Sequence, residues 1–144
     1  MKEAGVTAVL NVQTQTDMDH RGVNWPKMLE MYKGRGIAPV HFPIHDFNQA
    51  DLIKRLFEAA NALDVLVKRG EKVYVHCTAG MGRAPAVVLA YLCLFKKVED
   101  WDDPAAVDLW LKSHRKVCTP NMTAVTQVIE ENKWFQENQS ELFD

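Results

Sequence analysis

The apolar positions of this chain switch between two periods. Val6 to Val12, Val40 to Ile44 and the run Val73-Tyr74-Val75 are short and rich in β-branched or aromatic residues, which predicts strands. Elsewhere apolar residues recur every three or four positions, which predicts helices. Such helices fall near Trp25 to Gly34, from Asp51 onward through DLIKRLFEAANALDVLVKR, and near Arg83 to Lys96, Pro104 to Val117 and Asn121 to Gln136. Asn121 stands where it can cap the last of these. Met1 to Ala4 read as a helix remnant ended by Gly5, and the stretch from Gln13 to Asn24 reads as a variable loop. Alternation of strand and helix predicts an α/β fold with a mostly parallel central sheet flanked by helices.

Length and composition narrow the class. The 144 residues are enough for a single domain, 1–144, with a real core. A hydrophobic share of 47% with 25% charged residues is the balance of an ordinary soluble globular chain. A net charge of −2 leaves no electrostatic footprint for nucleic acid. The longest apolar stretch, Ala84 to Phe95, is too short to span a bilayer, so no membrane partner is expected. Three cysteines without metal-site spacing predict a reducing compartment.

The candidate chemistry sits in EKVYVHCTAGMGRAP. A strand runs into His76-Cys77, a glycine-containing loop follows, and Arg83 stands six residues after the cysteine at the start of a helix. Pro85 is tolerated there because it falls in the first turn. In such a strand-to-helix turn the backbone N–H groups of Thr78, Ala79, Gly80, Met81, Gly82 and Arg83 can point inward. Together with the helix dipole they form a concave anion site. The same field favours the thiolate, the nucleophilic form of cysteine, at Cys77. Arg83 adds a planar fork suited to two phosphoryl oxygens. Neither Cys93 nor Cys118 has an arginine six positions later, so the pattern belongs to Cys77 alone.

A thiolate attacking a phosphate monoester needs a proton donor for the leaving oxygen. Asp46 falls in the loop between a strand and the long helix, beyond the carboxyl end of that strand, where functional groups of parallel sheets gather. His41 and His45 are rival donors of lower rank, Asp51 reads as the helix N-terminal acid, and His76 reads as a residue that holds the loop by hydrogen bonds.

The string HCTAGMGRAP resembles the signature of cysteine-dependent phosphatases of the dual-specificity class. Its Cys-Thr-Ala-Gly-Met-Gly-Arg core is similar to that of glucan phosphatases of the laforin and plant starch-excess type. GVTAVLNVQ, the HDF loop and RKVCTPN extend the resemblance over most of the chain. It implies a two-step hydrolysis without metal or other cofactor: Cys77 forms a phosphocysteine, Asp46 protonates the leaving alcohol and then activates water, and Arg83 holds the phosphoryl oxygens. Phe47 matches an aromatic that the plant enzymes use against sugar rings, and Trp25 is a second candidate platform. Ala84, where many cysteine phosphatases place Ser or Thr, is shared with the glucan type. Asp19, His20, Arg21 and Thr119 depart from the plant pattern, which has aromatics in these two places.

Thr78 and Met81 replace the lysines typical of phosphoinositide phosphatases, and no tyrosine-bearing segment deepens the pocket. The resemblance therefore implies a monomeric phosphatase of phosphorylated polyglucan in plastid or cytoplasm. The alternatives are a dual-specificity phosphatase acting on phosphoserine, phosphothreonine or phosphotyrosine in proteins, and a silent module that binds glucan or phosphoprotein. The family also has an additional hairpin ahead of the strand that Val6 opens, which this chain is expected to lack.

Overall fold

Three strands of four residues each, β1 (Ala8–Asn11), β2 (Ala38–His41) and β3 (Val73–His76), form a parallel sheet in the order β2-β1-β3. They belong to a computed structural model that describes residues 5–78, 82–96, 103–114 and 120–137. Every residue of central β1 is buried, as expected of a strand covered on both faces. β2 is an edge strand, which is why it tolerates Pro39, a residue without a backbone donor. The second strand therefore lies at Ala38–His41 rather than at Val40 to Ile44. The proline taken as punctuation is inside the strand, and past His41 the Phe42 and Ile44 amides still donate to the Asn11 and Val12 carbonyls at 2.9 and 3.0 Å.

Among the described residues six α-helices accompany the sheet. α1 (Gln15–His20) occupies the stretch expected to be loop, and α2 (Trp25–Gly34) starts from an Asn24 cap with Pro26 in its first turn. α3 (Gln49–Lys68) follows the acid loop, and α4 (Arg83–Tyr91) follows the cysteine loop. Beyond Tyr91 the helix widens into a π-helical segment over Leu92–Lys96. α5 (Pro104–His114) and α6 (Met122–Glu137) complete the order. Asn121 Oδ1 accepts the Ala124 amide at 3.1 Å, the expected cap of α6.

The main core packs α3, α4 and α6 on one side of the sheet. Leu10, Val12, Ile44, Leu56, Leu89 and Ile129 lie in one buried cluster. A smaller cluster of Val9, Tyr32 and Ile37, with Trp25 and Met28 packed on it, sits under α2. α4 is buried on nearly all sides, Arg83 included, so the start of this helix is fixed by core packing. No helix among the described residues is long and apolar enough to cross a membrane.

Candidate active site

Register aligns the exits from the sheet. Asn11 pairs with His41 on one side and with His76 on the other, so the three strands end level and their following loops leave from one edge. That edge is the carboxyl side, where parallel sheets place their functional groups.

The loop after β1 is shaped by a buried amide. Asn11 is fully buried, and its Oδ1 accepts the Gln13 amide at 2.8 Å, which turns the chain. Gln13 Nε2 then donates to Thr78 Oγ1 at 3.2 Å, tying this loop to the cysteine loop. α1 opens with a capping box: Asp17 N donates to Thr14 Oγ1 at 3.2 Å and Thr14 N donates to Asp17 Oδ2 at 2.8 Å. The same Oδ2 accepts Arg83 Nη1 at 2.6 Å. Burial pushes the Asp17 carboxyl up, and its hydrogen bonds from Arg83 and Thr14 outweigh that and hold it below the ordinary carboxylate value.

The loop after β2 carries His45, Asp46 and Phe47. Asp51, in the first turn of α3, fastens it: its Oδ2 accepts the His45 amide at 2.8 Å and lies 3.0 Å from His45 Nδ1, while Oδ1 accepts Arg55 Nε at 3.0 Å. Burial acts to raise the Asp51 carboxyl. These bonds, with the nearby Arg55 charge, overcome it and bring the value to about 2. Asp46 Oδ1 accepts the Phe47 amide at 3.1 Å. Phe47 has a φ of 53°, the left-handed region that bulky side chains avoid, and its ring is wholly exposed. His41 is held otherwise, with Nε2 2.6 Å from the Gln13 carbonyl oxygen, and serves the frame of the site.

The loop after β3 supplies Cys77 and Thr78. Cys77 is buried and forms no disulfide among the described residues, as is true of Cys93. His76 is pushed below its ordinary value mainly by burial, against a hydrogen bond with the Cys77 backbone and with a smaller contribution from His41. Ala79, Gly80 and Met81, three of the six expected phosphate-binding positions, lie outside the described residues, as do Cys118 and Thr119.

Arg83 is where the three loops meet. Its side chain is 5% exposed; Nη1 donates to Asp17 Oδ2 and, at 2.7 Å, to the Ile44 carbonyl. Nη2 donates to Thr78 Oγ1 at 3.3 Å. Among the described residues Nε makes no hydrogen bond, and it forms an ion pair with Asp46 Oδ1 at 3.4 Å. A buried charged donor held by an ion pair without a hydrogen bond is under-satisfied, so the Nε and Nη2 edge of the fork is suited to an incoming oxyanion.

These groups line a cavity of about 450 Å³, to which Cys77, Gly82 and Arg83 contribute together with His45, Asp46 and Phe47. Asn48, Gln49, Leu52 and Asn121 complete it. Gly82, the residue before α4, offers no side-chain cap, so the helix start keeps donors for an anion. The structure thus brings together Cys77, Arg83, Asp46, Gly82 and Phe47, with Thr78 bonded to Arg83. Trp25 does not join them. It packs on Tyr32 at 6.3 Å and on His41 at 5.3 Å between ring centroids, outside the lining of this cavity. Asp17, Gln13 and Asn121 are additions that sequence reasoning missed as site residues. For Asp17 a signal existed in the Thr14-x-x-Asp17 pattern of a capping box.

Residues 1–134 match the family profile "Dual specificity phosphatase, catalytic domain". Laforin of Mus musculus is 36% identical over 99 residues, covering 62% of this chain and 30% of laforin. "Phosphoglucan phosphatase LSF1, chloroplastic" of Arabidopsis thaliana is 34% identical over 92 residues, covering 64% of this chain and 16% of its own. The chain thus spans less than a third of the length of either relative. Among solved structures, human DUSP28 superposes with a TM-score of 0.68 at 25% identity, covering 92% of this chain and 80% of that one.

Proposed function

The chain belongs to the dual specificity phosphatase catalytic-domain family, and we propose that it is a cysteine-dependent phosphatase that removes phosphate from phosphorylated polyglucan. In the first step Cys77 Sγ attacks phosphorus, the P–S bond forms as the ester P–O bond breaks, and Asp46 gives its proton to the leaving glucosyl oxygen. In the second, water attacks the phosphocysteine, Asp46 takes the proton, and the P–S bond breaks to release phosphate and the thiolate. Arg83, through Nε and Nη2, and the donors of the loop from Thr78 to Gly82 hold the equatorial oxygens through both steps. The chemistry uses thiolate, carboxyl group and water, and no metal enters.

One observation carries the choice of polyglucan. Phe47 projects its whole ring into solvent at the rim of the pocket, directly after the candidate acid, and holds a strained backbone angle to do so. An exposed ring in that place can take the apolar face of a sugar while Asp46 reaches the glycosyl phosphate oxygen. The names of laforin and the plant phosphoglucan phosphatase among the relatives support the same substrate. Asn48, Gln49 and Asn121 line the same pocket, with Asn121 Nδ2 donating to Gln49 Oε1 at 3.0 Å, and give the wall beside the sugar a polar character. A monomer in plastid or cytoplasm completes the reading.

The test is phosphate release from phosphorylated amylopectin, a phosphopeptide and an aryl phosphate, with Cys77→Ser as the blank. Preference for amylopectin is the expected result. Release from the peptide and aryl phosphate alone would keep the mechanism and make proteins the substrate. No release above the blank would leave only a binding module.

A further inference from the structure

We propose that Asp17 is the positioning residue of Arg83: by holding Nη1 it aims the Nε and Nη2 edge of the guanidinium at the phosphoryl group and keeps Arg83 from closing on Asp46. This rests on the phosphatase reading above and adds to it a residue from a different loop.

Two carboxylates flank the same buried fork. Asp17 Oδ2 is 2.6 Å from Nη1 in a direct hydrogen bond, whereas Asp46 Oδ1 is 3.4 Å from Nε without one. Asp17 is also the less exposed of the two, with a side chain at 20% against 39% for Asp46. An ion pair strengthens as it leaves water and as its distance shortens, so Asp17 is the dominant partner. The Ile44 carbonyl takes the other Nη1 proton at 2.7 Å, and with both protons used the guanidinium plane is fixed about its terminal bonds.

The consequence reaches the acid. Without Asp17 the nearest carboxylate to this charge is Asp46, and a buried arginine that has lost one partner turns to the next. Arg83 and Asp46 would then satisfy each other. The fork would no longer face phosphate, and the acid would no longer face the leaving oxygen. Asp17 is itself held by the Thr14 amide at 2.8 Å within a helical turn, which makes it a rigid post. Thr78 Oγ1 completes the bracing from the other edge, because it accepts from both Gln13 Nε2 and Arg83 Nη2 and so has its own proton left to donate.

The experiment measures tungstate affinity, an inert oxyanion that reads the phosphate site without turnover, in wild type, Asp17→Asn and Thr14→Ala. Aryl phosphate kinetics and circular dichroism accompany it. The expected result is a loss of tenfold or more in tungstate affinity and a raised KM in Asp17→Asn. Thr14→Ala, which removes the helix cap but leaves the Asp17 contact with Arg83, should bind within twofold of wild type. Unchanged affinity in Asp17→Asn would overturn the inference, as would equal losses in both variants, which would reduce Asp17 to a cap. If Asp17→Asn does not fold, side-chain nitrogen NMR of the wild type decides. Separate, slowly exchanging Nη1 protons on Arg83 support the post, and averaged ones overturn it. A wild type that binds no tungstate and hydrolyses nothing above the Cys77→Ser blank would defeat the phosphatase reading itself, and the inference with it.

Discussion

The Phe47 amide donates to Asp46 Oδ1 at 3.1 Å while Phe47 holds a φ of 53°. The candidate acid and the candidate sugar platform therefore share one tight turn, tied by this bond. A left-handed conformation costs a side-chain-bearing residue roughly 1–2 kcal/mol, strain that the loop carries at its functional tip.

Phe47→Ala should reduce phosphate release from amylopectin about tenfold, equivalent to about 1.4 kcal/mol of binding, and leave aryl phosphate hydrolysis nearly unchanged. Phe47→Gly should show the same activity profile but greater stability than Phe47→Ala. A glycine meets no penalty at this angle, so its melting midpoint should lie about 3 °C above that of the alanine variant. Equal losses on both substrates would mean that Phe47 serves Asp46 and not the sugar.

Asp46→Asn separates the acid role from charge. General acid catalysis contributes about 10²–10⁴-fold where the leaving group is poor. Release of glucosyl phosphate should fall by about that factor, while an activated aryl phosphate should fall far less. Parallel losses across a leaving-group series would remove Asp46 from the acid role.

Much of this site was legible because its parts are local in sequence. Cys77 and Arg83 lie within one strand-loop-helix unit, and Asp46 follows its strand by a few residues. Asp17 was hidden for the opposite reason: its partner Arg83 is 66 residues away, and its six-residue helix lies in a polar segment without apolar periodicity. Trp25 shows a different limit. Spacing places an aromatic on a helix but does not say which face of the sheet that helix covers, and here it covers the side under α2. Pro39 misplaced a strand boundary because edge position, which licenses proline in a strand, is a property of the assembled sheet.

Asp51 predicts an acid limb of stability. Its folded value of about 2 lies below the ordinary 3.8, so the unfolded chain binds more protons between the two. The stabilisation is complete above the ordinary value and is lost as pH falls toward the folded one. Urea unfolding of Asp51→Asn between pH 5 and pH 2.5, values of about this range following from the same shift, should show a flatter profile than wild type. Hydrogen bonds to a charged group are worth roughly 1.5–3 kcal/mol, so this variant should also be less stable at neutral pH by about 1–2 kcal/mol. A profile as steep as that of wild type would contradict the role given to Asp51.

His76 predicts a second window at higher pH. Burial holds its folded value below the ordinary 6.5, so between the two the unfolded state is the more protonated. Stability should be full above 6.5 and decline as pH falls below it. His76→Gln should remove part of that decline in unfolding measurements near neutral and mildly acidic pH. An unchanged slope would assign it to other groups.

The most direct measurement mixes the wild-type protein with radiolabelled phosphoglucan, quenches the reaction within a turnover, and maps the label by peptide. Label on the peptide that carries Cys77, absent from Cys77→Ser, is the predicted result, because it joins nucleophile and substrate in one species. Label on Cys77 from an aryl phosphate or phosphopeptide but never from the glucan would contradict the account.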